Sequence, residues 1–433
     1  MGRLRGVVAT GVLGVLVVAC GGTSGGPAKP VTGTPVEIGA LYPTGGAQGS
    51  EGSEELHGVE LAVEWANSHG GLDGRPYKLV PVDAERAEAV PAAMTKLIHR
   101  GITVVLGSHA SAISAAAGAL ATRDDLSFWE TGAIGQTSPE VAGGRNFFRM
   151  APMGANLGQK AIAFVRDELT PKLPDRQPLR YAVSYVDDPY GRAVGLGAID
   201  EIHRSGLVFA GSFAYDAQTA NFSQVAAEIA ATRPDVLFVS AYLSDGVALR
   251  QALVSQHVPL LASIGTSSSY CLPQFGAMLD QDSVGLYASD KPDAGHVNRA
   301  ALTAEGRVAL DWVDQQYQQR WHEAMSAPAL SGFSNAYALL VHVLPAARST
   351  KVDQVAAAAI ATKLPEGSLA NGGGIDIAPP SAPDAGNNRQ AASVIWEWVA
   401  PNTRAVVWPP SFATHLIAAL PLAGSPRPWP GSP

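Results

Sequence analysis

The chain has 433 residues, 46% of them hydrophobic and 16% charged, with two cysteines and a net charge of −8. That length exceeds what one hydrophobic core usually serves, so two lobes are expected. The acidic balance argues against nucleic acid as a partner, and so few cysteines leave stability to the packed core.

The first predicted element is an export signal. Arg3 and Arg5 precede an apolar run from Val7 to Val18, too short for a stop-transfer helix, and Val17-Val18-Ala19-Cys20 has the form of a lipobox. A diacylglycerol on Cys20 would anchor the exported protein to the outer face of a bacterial cytoplasmic membrane. A plain signal peptide with a chance cysteine is the other reading. Residues 1–20 are thus expected to be the leader. Residues 21–35, rich in Gly, Ser, Thr and Pro, read as a flexible tether. Cys271 is then left without a disulfide partner. Past the leader, no segment reads as about 20 consecutive apolar residues, so no later membrane span is expected.

The folded part begins near Val36, where short β-branched runs alternate with helical periodicity, the pattern of parallel sheets with crossover helices. Strands are predicted at 36–41, 77–82, 103–106 and 126–129, with helices at 56–67, 90–99 and 112–121 and a Gly-rich turn at 70–75. The cycle restarts with a strand at 179–186, a helix from Tyr190, a strand at 207–213, a helix at 222–231 and strands at 236–240 and 260–264. Helices near 307–324 and 331–344 and a late strand at 393–398 return to complete the lobes. The expected fold class is therefore α/β, with two doubly wound parallel-sheet lobes. Expected boundaries are 36–150 for lobe 1, returning at about 291–385, and 151–290 for lobe 2, returning at about 386–410. A Pro-rich tail, 411–433, follows.

Several segments carry a family resemblance: VEIGAL at 36–41, GGLDGR at 70–75, GSHAS at 107–111, TSPE at 137–140 and DDPYG at 187–191. Asn221-Phe222-Ser223, Arg233-Pro234-Asp235, GGGID at 372–376 and VIWEW at 394–398 continue the series. In order and spacing the chain resembles the leucine/isoleucine/valine-binding type of periplasmic substrate-binding protein, from about Pro35 to Pro410. That resemblance implies a venus-flytrap of the type I periplasmic-binding kind, hinged by three crossovers. It would close on a small-molecule ligand and deliver it to the permease and ATPase subunits of an ABC importer. A monomer with no cofactor and no metal is expected.

Ligands of open α/β sheets sit beyond the carboxyl ends of strands, where helix N-termini present free N–H groups. Ser111 opens such a helix and matches the family's carboxylate-binding serine; an ordinary N-cap is its bland alternative. Gly135 and Thr137 match a second carboxylate-side contact, although Thr137 could equally cap the turn before Pro139. Tyr190 and Tyr242 match positions that close over the ligand, or else are buried residues of lobe 2. Family members that bind amino acids usually place an acid after the strand at 260–264. Here that stretch reads GTSSS, with Ser267 where the acid is expected. A buried ammonium without a counter-charge costs several kcal/mol, so another acid must substitute or the ligand lacks an amine. Glu130, Asp187, Asp188 and Asp245 are the candidate acids. Glu130 could face the cleft, or it is a solvent-exposed strand end; the bland readings of Asp187 and Asp188 as loop-motif residues and of Asp245 as a helix cap are the stronger ones for those three.

Enzymes find little support. The G-x-S-x-G string at 22–26 lies in the tether with no strand before it, and Ser108 and His109 are neighbours in sequence without implied geometry; His109 reads as a residue of solvent or the cleft rim. His322-Glu323 lacks the second histidine of a zinc helix. The alternative function is a ligand sensor of the same fold, signalling through a partner protein.

Overall fold

The structure, a computed structural model, describes residue 2 and residues 31–136, 138, 140–173 and 178–418. Cys20, the leader, most of the tether, Thr137 and the end of the tail lie outside the described residues.

The first sheet draws on β1 (Val36–Tyr42), β2 (Tyr77–Asp83), β3 (Val104–Gly107), β4 (Ser127–Glu130) and β5 (Phe147–Arg149). Helices α1 (Gly49–Ser68), α2 (Val90–His99) and α3 (Ser111–Arg123) connect them. All its pairings are parallel, in the order β2-β1-β3-β4-β5. Helix α4 (Gly154–Phe164) leads into β6 (Arg180–Val186), α5 (Pro189–Arg204), β7 (Val208–Tyr215), α6 (Phe222–Ala231) and β8 (Val236–Ser240). These are followed by α7 (Leu243–Ser255), β9 (Ala262–Thr266), α8 (Pro273–Leu279) and β10 (Tyr287–Asp290). The chain then returns to the first lobe as α9 (Ala304–Trp321), α10 (Ala327–Tyr337), α11 (Leu344–Ala347) and α12 (Val352–Ala361). A short hairpin of β11 (Lys363–Leu364) and β12 (Ile375–Asp376) precedes β13 (Val394–Ala400) and β14 (Thr403–Trp408).

The second sheet runs β14-β13-β10-β9-β8-β6-β7. Its inner strands are parallel, while β13 and β14 add an antiparallel edge. The expected late strand is thus one arm of a hairpin. Its connection, Pro401-Asn402, places Asn402 at positive φ, as the position after Pro in a type II turn requires.

Crossings between the sheets follow β5, β10 and the segment before β13. The first and third are tied together: the Arg149 N–H donates to Gly386 O at 2.8 Å and the Asn388 N–H donates to Arg149 O at 2.8 Å. Each sheet is covered by a helix pair that only glycine permits. A Cβ at Gly58 of α1 would lie 1.9 Å from Ala329 O of α10, and one at Gly158 of α4 would lie 2.2 Å from Val194 O of α5. Residues 327–347 are apolar enough to resemble a membrane span, but they are almost entirely buried against α1 and β4, the place of a core helix in a folded lobe.

Several elements differ from the sequence expectation. Helix α1 starts seven residues earlier than its apolar periodicity shows, because its first two turns, GSEGSEE, are mostly small and acidic. Helix α9 starts at Ala304, where the Thr303 hydroxyl accepts from the Gly306 N–H at 3.2 Å. Strands β5 and β10 are three and four residues long, too short for an alternation to register.

Candidate ligand cleft

Between the two sheets lies a cleft of about 490 Å3. On the first lobe it is lined by Glu51 and Glu54 of α1, by His109 and Ser111 beside β3, and by Gly132 and Ile134 after β4. The second lobe contributes Tyr190, Tyr242, Ser267, Ser268 and Cys271. The crossover after β10 adds Asp290, Lys291 and Asp293, with Arg404 of β14 behind them. A second hollow, of about 530 Å3, lies at the hinge between Ile134, Arg149 and Asn387. Ser111, Tyr190, Tyr242 and Ser267, all singled out in the sequence, converge on the first cleft, and none of these four lines the second.

Ser111 is the first residue of α3. The residue before it, Ala110, is the N-cap, and no side chain caps this helix. Instead the Ser111 hydroxyl accepts from the Gly135 N–H at 2.9 Å, which leaves its own proton to donate into the cleft. The ordinary-cap reading therefore fails. Gly135 sits behind Ser111, not on the cleft wall: a Cβ there would lie 2.5 Å from Ser111 Cβ and 3.4 Å from Pro189 O of the other lobe. Its role is to let the loops of two lobes approach.

On lobe 2 the aromatic pair is arranged ring to ring, with centroids 5.2 Å apart. The Tyr190 hydroxyl is 2.6 Å from Thr266 Oγ1, and the Tyr242 hydroxyl donates to Asp188 Oδ2 at 2.5 Å. Burial raises both phenol pKa values, and the Asp188 charge raises that of Tyr242 further. Both phenols stay protonated, with their hydroxyls engaged inside the lobe. Asp188 also caps α5, accepting from the Gly191 N–H at 2.7 Å, while Asp187 pairs with Arg192 and Asp245 accepts from the Tyr215 hydroxyl. These three acids hold the lobe, as their sequence positions suggested.

Glu130 does not face the cleft, and it is not a solvent-exposed strand end. It is fully buried. Its carboxylate accepts from the Ser108 N–H at 3.0 Å, the Gly132 N–H at 2.8 Å and the Ala133 N–H at 2.7 Å. Burial and the nearby Glu55 charge push its pKa up, while the N–H groups of Gly132 and Ala133 pull it back. It braces the loops that carry His109 and Ile134 and has no free acceptor for a ligand.

The groups that composition and spacing missed are charged. His109, expected at solvent or the cleft rim, is only 9% exposed and adopts φ +68°. Its Nδ1 lies 2.8 Å from Glu55 Oε2, and Glu55 Oε1 accepts from the Thr131 hydroxyl at 2.6 Å. Although burial opposes the imidazolium, the Glu55 bond and charge outweigh it and raise the His109 pKa. The Lys291 ammonium donates to Gly132 O at 3.1 Å, bridging from the crossover to the first lobe. Asp293 accepts from Arg404 at 2.7 Å and from His296 Nδ1 at 2.7 Å, which together hold its carboxyl below the usual range despite burial. Asp290 accepts on Oδ2 from the Cys271 thiol at 2.8 Å. The legible signal was the string Asp290-Lys291-Pro292-Asp293, a charged run directly beyond the carboxyl end of a strand.

Two lobes of parallel sheet, three crossovers and a polar cleft at the strand ends define a two-lobed solute-binding protein. The periplasmic binding protein family matches residues 35–379, and the chain belongs to that family. Leu/Ile/Val-binding protein homolog 8 of Brucella abortus (strain 2308) is 26% identical over 346 residues, covering 78% of this chain and 83% of that protein. Among solved structures, the leucine-binding protein LivK of Thermotoga maritima superposes with a TM-score of 0.71 at 17% identity, covering 86% of this chain and 98% of that one. LivJ of Streptococcus pneumoniae, in complex with isoleucine, gives 0.67 at 17% identity, covering 87% and 100%. A solute-binding protein of R. palustris in complex with benzoate gives 0.64 at 16% identity, covering 88% and 100%. The fold is the type I periplasmic-binding fold, and the chain is a binding protein, not an enzyme.

Proposed function

We propose that this protein captures a small amino acid or a related carboxylate or amide and delivers it to the permease and ATPase of an ABC importer. Lipid on Cys20 would hold it at the outer face of the membrane as a monomer. The observation that carries the reading is the convergence of Ser111, Tyr190, Tyr242 and Ser267 on one cleft between the lobes. Ser111 offers a hydroxyl proton at the start of α3, where the helix dipole favours a ligand carboxylate. The ligand docks on that lobe and the Tyr190–Tyr242 lobe closes over it; closure then reports occupancy to the permease. The relatives bind ligands with and without an amine, isoleucine in one and benzoate in another, so fold alone does not choose between them.

Thermal unfolding of the full chain against L-amino acids, amides, dicarboxylates and aromatic acids tests the reading. A ligand at one hundred times its dissociation constant stabilises the folded state by about 2.7 kcal/mol. Absence of any shift across all four classes would remove the small-carboxylate assignment. For the anchor, Cys20→Ser should release the protein from the membrane fraction and abolish labelling by a fatty-acid probe.

A further inference from the structure

Two residues of the cleft each carry a buried polar atom with no hydrogen-bond partner among the described residues: Nε2 of His109 and Oδ1 of Asp290. They stand on opposite lobes, His109 after β3 and Asp290 at the end of β10. Leaving a buried polar atom unsatisfied destabilises a fold, so two in one cleft, one per lobe, call for an occupant that pairs with both.

The remaining atoms of each residue are pinned. His109 Nδ1 is held by Glu55, itself fixed by Thr131; Asp290 Oδ2 is held by the Cys271 thiol, whose sulfur also lies 2.6 Å from Ser267 O. A side chain anchored at one heteroatom and bare at the other is an oriented ligand group. Because Glu55 is a fully buried carboxylate with His109 as its ion-pair partner, the imidazolium is the favoured form, and Nε2 then presents an N–H. The neighbouring cations leave Asp290 Oδ1 open. Lys291 donates to Gly132 O and Arg404 to Asp293. Glu51 and Glu54 of α1 line the same cleft.

We propose that His109 and Asp290 are the two charge poles of the cleft: His109 donates to the acidic group of the ligand, and Asp290 is the counter-charge for its protonated amine. Asp290 thereby does what Ser267, a hydroxyl, cannot. The ligand class narrows from carboxylates and amides in general to zwitterions that touch both lobes at once. This inference rests on the solute-binding function proposed above.

The test is calorimetric titration of the full chain with matched probes for each of the twenty L-amino acids: the zwitterion, its des-amino acid and its decarboxylated amine. We expect at least one zwitterion to bind about 100-fold more tightly than its des-amino partner. Asp290→Asn should erase that preference while changing the affinity for the des-amino acid less than about 3-fold. His109→Gln should weaken the zwitterion about 10-fold or more and leave the amine nearly unchanged. Equal wild-type affinity for a zwitterion and its des-amino acid overturns the assignment of Asp290 while the solute-binding function stands, as does a preference that survives Asp290→Asn. Binding of primary amides or des-amino acids only has the same meaning, and binding of none of these compounds overturns both. The wild-type comparison decides even if a variant fails to fold.

Discussion

Glu130 and Asp290 are both the last residues of short buried strands, β4 in the first sheet and β10 in the second, yet their surroundings diverge. The chain after Glu130 turns back, and the N–H groups of Gly132 and Ala133 close on its carboxylate while Ser108 donates from the neighbouring loop. A Cβ at Gly132 would lie 1.8 Å from Glu55 Oε2, so the turn needs glycine there. After Asp290 the chain leaves for the other lobe, and Pro292 has no N–H to offer. One carboxylate is saturated and the other half-bare. A strand-end acid is thus structural or functional according to how many donors the following loop returns to it.

The largest effect expected from this contrast is on Glu130. Glu130→Ala strands three buried N–H groups, at a cost of about 3–5 kcal/mol in urea-induced unfolding. A loss under about 1 kcal/mol would mean that the cradle is not what holds the loop. Glu397 on β13 is an intermediate case: Oε2 accepts from the Ala418 N–H at 2.9 Å, and Oε1 has no hydrogen-bond partner among the described residues. Burial raises its pKa from 4.5 to about 7, against weaker opposing pulls from Ala418, Tyr287 and Lys172. A folded-state pKa raised above the unfolded one means stability is full below about pH 4.5 and declines as pH rises to about 7, by ~3 kcal/mol at most. Denaturation midpoints across that window should show the decline, and Glu397→Gln should flatten it. An unchanged slope in that variant would assign the pH dependence to other groups.

Much of this architecture was legible in the sequence. Short β-branched apolar runs such as Val236–Ser240 match buried parallel strands, and Ser111, Tyr190, Tyr242 and Ser267 do meet in one cleft. What stayed hidden has a physical reason in each case. Asp290 lies on a four-residue strand with no periodicity of its own, and its importance is a missing partner, which exists only in three dimensions. His109 looks like a loop residue because its burial comes from α1, more than fifty residues earlier, through Glu55. Glu130 attracted attention as an acid beside aromatics, but sequence does not show that three N–H groups already satisfy it.

Tyr242 sharpens the contrast at smaller scale. Its hydroxyl is engaged by Asp188 within the lobe, so Tyr242→Phe should lower stability by about 1 kcal/mol while keeping the ring that faces Tyr190. Ligand affinity should fall less than 3-fold. A larger fall would place the hydroxyl itself on the ligand and require the Asp188 bond to break on closure.

Asp290→Asn should have the smallest effect on the empty protein, and for that reason it discriminates best. The Asn carbonyl can still accept from the Cys271 thiol, and the substitution removes a buried charge that Lys291, Arg404 and the Cys271 thiol only partly offset. Burial raises the Asp290 pKa, the sign of a carboxylate whose ionised form is disfavoured in the absence of a ligand. Unliganded stability should therefore stay within about 1 kcal/mol of wild type, with any change upward, since a half-satisfied buried charge is no asset to folding. Equal losses for Asp290→Asn and Glu130→Ala would erase the distinction between the two strand ends. A stable Asp290→Asn that no longer prefers the zwitterion over its des-amino acid would show that this strand end is kept for recognition at the expense of stability.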